Sequence, residues 1–164
     1  MPWQGCRILG VRALVAEQRP EVLGGTVPEL GAGGLPRLPK TAFSVAGAAE
    51  PLLGDPRIRH VLLCGIEAHA CVLGSQPDGA HPGGGVWGGV WGAVWGSRCN
   101  LGRGPSQTER ALALARMRQA GAFVSSCESL LLLLLRDSAH PKFRQILPLL
   151  KEPPPDTGLI LGGL

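Results

Sequence analysis

The sequence predicts an α/β chain built on a mostly parallel sheet, and three observations carry that prediction. Arg59–Gly65 (RHVLLCG) is a continuous apolar run of the kind that a strand buried on both faces of a parallel sheet requires. The helical composition of Ile66–Leu73 (IEAHACVL) follows at once, which makes a βα unit. Beyond residue 105, two S-x-x-E capping boxes, Ser106 with Glu109 and Ser125 with Glu128, open helices on either side of a short apolar run. Strand and helix therefore keep alternating.

Taken in order, residues 1–10 (MPWQGCRILG) show no period and predict an irregular N-terminus. Residues 11–73 predict the first part of the domain. Within them, Val11–Glu17 (VRALVAE) is compatible with a buried strand interrupted by Arg12. Prolines and glycines recur every few residues from Gln18 to Pro39, which predicts a long irregular loop suited to lining a pocket. Lys40–Val45 (KTAFSV) predicts a short strand, and Ala46–Leu53 a helix whose end Pro51 and Gly54 limit. The βα unit completes this part.

Composition then changes abruptly. Residues 74–105 predict a disordered, low-complexity insert: eleven of residues 74–104 are glycine, and Val86–Ser97 repeats VWGG, VWGA, VWGS with a four-residue period. That period matches no solenoid, and each glycine inside a helix costs about 1 kcal/mol. A tryptophan-bearing binding loop is the other reading of the same residues. Residues 106–152 predict the second part of the domain: a capped helix ending at Gly121, a strand at Ala122–Ser125, a leucine-rich helix at Ser126–Arg136 and a further helix from His140-Pro141 to about Lys151. Residues 153–164 predict an extended tail, proline-rich at first.

Gly 25 and Pro 15 make up about a quarter of the 164 residues, near the low-complexity level, but the excess is local. Lys plus Arg 16 against Asp plus Glu 12 gives +4, with the cations scattered, so no nucleic-acid stripe is predicted. The apolar run Leu130–Leu135 is far shorter than the roughly 20 residues of a membrane-spanning helix, and no membrane segment is predicted. Five cysteines, odd in number and without CxxC spacing, follow no secretory signal. An intracellular home in cytoplasm or nucleus is expected; the arginine-bearing start is too weak for a transit peptide, although a mitochondrial address stays open.

The chemistry concentrates on Cys71, a few residues into the helix after the strand, where backbone amides favour anionic sulfur and receive a developing oxyanion. The plain alternative for Cys71 is a small buried hydrophobe. Lys40, downstream of the Pro/Gly loop, is placed to supply a cation for a thiolate or a substrate carbonyl. Glu67 and His69, two residues apart, share no helix face, so no metal pair follows, and neither a metal nor a cofactor is predicted. His60 and His140 read as a strand-edge and a helix-start residue, Asp55 and Asp156 as turn residues, and Cys64 as core. Cys127, near a helix N-terminus, is a further candidate for a reactive thiol, although Ser125 and Glu128 already account for that terminus.

Thr26–Val45 (TVPELGAGGLPRLPKTAFSV), Val61–Cys71 (VLLCGIEAHAC), Ala113–Phe123 (ALARMRQAGAF), Ala139–Phe143 (AHPKF) and Lys151–Leu159 (KEPPPDTGL) together resemble the isochorismatase-like cysteine hydrolases. The resemblance implies a three-layer sandwich around a six-stranded parallel sheet and a catalytic Asp, Lys and Cys triad. It assigns the lysine to Lys40 of KTAFS and the nucleophile to Cys71 of GIEAHAC. The aspartate and the family's first strand have no counterpart in MPWQGCRILG, which holds no acidic residue. The Gly/Trp segment stands where a further family strand with a V-V-D-A type pattern is expected, and Asp78 is no substitute for that aspartate. The implied activity is hydrolysis of an unknown small molecule, impaired by the missing base. The alternatives are a non-catalytic interaction protein, with a protein partner or a second copy, and a poorly folded splice-variant product.

Overall fold

The computed structural model describes residues 2–53, 55, 57–58, 60–65, 67–75, 90–94 and 107–151. The chain divides into two compact units, Met1–Ala42 with Cys127–Pro153, and Phe43–Ser126 with Pro154–Leu164. Among the described residues every strand pairing is parallel, as the alternation of strand and helix predicts.

In the first unit, helix α1 (Pro2–Leu9) replaces the irregular start that the lack of period predicts. Proline suits the first turn of a helix, but two turns do not persist in water without tertiary support. Support comes from α5 (Cys127–Leu135) and α6 (Phe143–Leu150): Leu131, Leu135 and Ile146 form a buried cluster against which Ile8, Leu9, Cys127 and Phe143 pack. Gly5 lets α1 come close, since a Cβ there would lie 2.5 Å from Leu131 Cδ2. Strand β1 (Val15–Gln18) pairs with β2 (Arg37–Lys40) from Val15↔Arg37 to Gln18↔Lys40. The segment between them, expected to be wholly irregular, holds the short helix α2 (Pro20–Leu23) and a 3-10 turn at Pro28–Leu30. The strand predicted at Lys40–Val45 instead ends at Lys40, because pairing with β1 stops there.

In the second unit, α3 (Ala46–Leu53) has the predicted bounds. Strand β3 (Val61–Gly65) leads into a π-turn at Ala68–Val72 in place of a regular helix start. Helix α4 (Gln107–Gln119) closes with the Ala122 N–H donating to the Met117 carbonyl at 2.9 Å, and Gly121 takes the left-handed φ of 89° that this closure needs. Ala113, Leu114 and Met117 of α4 pack with Ala68, Val72 and Ala122 into the core. Gly65, the last residue of β3, lets Val72 come close, since a Cβ there would meet Val72 Cγ2 at 2.8 Å.

One correction concerns the sheet. Val90–Val94 of the tryptophan repeat, expected to be disordered, is strand β4, paired with both β3 and β5 (Phe123–Ser125). The three neighbouring strands satisfy one another's backbone groups, and the helix cost of glycine does not apply to an extended chain. The rest of the insert, the Ser106 cap and the tail lie outside the described residues. The described strands form a two-stranded sheet, β1-β2, and a three-stranded sheet, β3-β4-β5, where the resemblance implies a single sheet of six. Ser125 is the last residue of β5 and its hydroxyl donates to the Ser126 carbonyl at 3.3 Å, so the second capping box is not formed from Ser125.

Candidate active site

Cys71 follows the carboxyl end of β3, the end at which open parallel sheets place their ligands. The turn that carries it is one residue wider than an α-helix: the Val72 N–H reaches back to the Glu67 carbonyl at 3.2 Å. Such π-turns recur at functional sites. The inward positions of this turn belong to Ala68 and Val72, 0% and 4% exposed, so the core is filled without Cys71. Cys71 itself is only half-buried, unlike Ala68 and Val72 of the same turn, which argues against the plain reading of a small core hydrophobe.

Lys40 is the last residue of β2, again at a carboxyl strand end, and is directly opposite Gln18. Its ammonium donates to Gln18 Oε1 at 2.5 Å and to the Ala42 carbonyl at 2.9 Å. Gln18 Nε2 donates in turn to the Thr41 carbonyl at 2.7 Å, so one amide orients both the lysine and the chain that leaves the strand. Sequence reasoning missed Gln18; the available signal was its place at the end of a strand, where a side chain faces the ligand end of a parallel sheet. Lys40 belongs to the first unit and Cys71 to the second.

Glu17 is the first acidic residue of the sequence. Its Oε1 accepts the Thr26 N–H at 2.8 Å and Arg37 Nη1 at 3.1 Å. The Thr26 N–H, with help from Arg37, holds this carboxyl below the usual carboxylate range. A depressed pKa means that stability from this anchor is present above the ordinary carboxylate range and is lost as pH falls through the depressed value. Wild type is therefore expected to lose urea resistance more steeply than Glu17→Gln as pH drops below about 4.3. Superimposable profiles of urea midpoint against pH would refute the anchor.

Cys6 of α1 and Cys127 of α5 are both half-buried, and Cys127 packs against the first unit's helical cluster. Burial pushes both thiols up, and the neighbouring Cys6 adds to the effect at Cys127. A raised pKa lowers the thiolate fraction, which argues against Cys127 as a reactive thiol. Among the described residues, no group of three His, Cys, Asp or Glu is placed to hold a metal ion, and no helix is long and apolar enough to cross a membrane.

No family model matches the chain. Over 155 residues it is 48% identical to the isochorismatase domain-containing protein 2 of Macaca fascicularis, covering 94% of this chain and 71% of that one. The Homo sapiens protein of that name is 46% identical over the same length and coverage. Among solved structures, the MAR1 ribonuclease of Caenorhabditis elegans superposes with a TM-score of 0.77 at 35% identity, over 96% of this chain and 78% of that one. A putative MAR1 ribonuclease from Leishmania major reaches 0.67 at 26% identity, over 94% and 84%.

Proposed function

The chain belongs to the isochorismatase domain-containing protein 2 family, and from that premise we propose that it is an isochorismatase-like cysteine hydrolase domain whose catalysis is impaired. Cys71 is the nucleophile of this reading and Lys40 its cation. The Sγ attacks a carbonyl carbon, the bond to the leaving group breaks as a thioester forms, and water then releases the acid and restores the thiol. Both Sγ attack and leaving-group departure need proton transfer, which is the aspartate's part in the family triad.

One observation carries the impairment: residues 2–9 are helix α1, packed on α5 and α6, and residues 1–16 hold no acidic side chain. Glu17, the first carboxylate, is engaged by Thr26 and Arg37. Members of a catalytic triad act as a unit, so loss of one lowers turnover on the order of 10⁴-fold. The ribonuclease activity in the worm protein's name finds no support in the charge pattern here, where the cations are scattered.

The test is hydrolysis of a panel of small esters and amides by wild type and Cys71→Ala. The expected result is trace turnover by wild type, close to that of the variant. Robust turnover that disappears in Cys71→Ala would show that another base serves, and the impairment would be refuted.

A further inference from the structure

We propose that Ser75 is a positioning residue for Cys71, an inference that rests on the reading of Cys71 as the nucleophile. Ser75 is 6% exposed and is the buried polar side chain of the described residues. Its hydroxyl donates to the Cys71 carbonyl at 2.6 Å and accepts the Val45 N–H at 2.8 Å. In a regular α-helix the carbonyl of residue 71 would receive the N–H of residue 75. Here the Ser75 N–H turns to the Val72 carbonyl at 3.1 Å, and the hydroxyl takes the place at Cys71.

The consequence is local. A π-turn departs from the i→i−4 ladder that sets residue positions in an ordinary helix, so the clamp at its carboxyl end fixes where the Cys71 backbone lies. The same oxygen holds that turn against Val45, whose carbonyl accepts the Ala49 N–H at 2.9 Å and so begins α3. A single hydroxyl thus serves one part-buried acceptor and one backbone donor, and alanine can replace neither bond.

The experiment uses the full chain as wild type, Ser75→Ala and Ser75→Thr, with p-nitrophenyl acetate as probe. Acylation of Cys71 forms the S–C bond, breaks the C–O bond to p-nitrophenolate and gives the thiol proton to the buffer. Mass spectrometry reads the acyl adduct at Cys71, iodoacetamide labelling of Cys64 reports general loosening, and hydrogen exchange follows the Val45 amide. Ser75→Ala is expected to slow Cys71 acylation about tenfold, equal to about 1.4 kcal/mol, and to speed exchange at Val45, with Cys64 labelling unchanged. Ser75→Thr, which keeps the hydroxyl, restores both. Wild-type acylation rates in Ser75→Ala overturn the positioning role alone. Slower acylation accompanied by faster Cys64 labelling overturns it too, in favour of a merely structural role. No Cys71 adduct in wild type overturns the nucleophile reading and this inference with it.

Discussion

Ala93→Pro is expected to abolish the cooperative folding of the second unit. Ala93 lies in β4 and pairs with Cys64 of β3 on one side and Ser125 of β5 on the other. Proline has no N–H, so whichever neighbour that donor serves loses a ladder bond in the middle of the sheet. The partner's carbonyl is left without its donor, and the fixed φ of about −65° bends a strand that must stay extended. The lost ladder bond and the backbone distortion together cost about 3 kcal/mol. Domains are stable by only about 5–15 kcal/mol, so this is a large share of what a three-stranded sheet and one helix face can supply. Far-UV circular dichroism and tryptophan fluorescence under urea measure it together, since Trp91 lies in β4. Wild type should give a sigmoidal transition and Ala93→Pro a gradual one. A variant with an unchanged midpoint would mean that the repeat does not form the central strand in solution.

The second large effect falls in the first unit. Ile146 is 0% exposed and is the largest fully buried side chain described, sitting with Leu131 and Leu135 among α1, α5 and α6. Truncation to alanine removes its buried methyl and methylene groups and leaves a cavity that the surrounding helices fill only in part, at a cost of about 2–5 kcal/mol. The urea midpoint is expected to fall by about 1 M or more. Leu133→Ala is the control, because Leu133 is 54% exposed on α5 and its truncation should change stability by no more than about 0.5 kcal/mol. Equal effects of the two substitutions would mean that the helical cluster is not a packed core.

The legible part of the candidate site was its chemistry. Cys71 and Lys40 stand out in the sequence because each falls in a motif that resembles the family's; Lys40 ends β2, and Cys71 lies in the turn that follows β3. Their supports were not legible. Gln18 and Ser75 are ordinary polar residues until the chain folds, and their roles come from partners 22 and 30 residues away in sequence.

The same division runs through the fold. Local sequence determined the alternation of strand and helix, the bounds of α3, the apolar strand β3 and the glycine stop after α4, because each depends on neighbours a few residues away. Tertiary structure alone decided the rest. Residues 2–9 are helical because Gly5 lets Leu131 come close, and no period in ten residues announces that. Six consecutive leucines, 130–135, offer no pattern from which to choose a face; contact with α1 and α6 buries Leu131 and Leu135 and leaves Leu132, Leu133 and Leu134 exposed. The three copies of the VWG repeat are near-identical in composition, and nothing local announces that Val90–Val94 pairs in register with Val61–Gly65. In each case the sequence is locally degenerate, and long-range burial and backbone pairing break the tie.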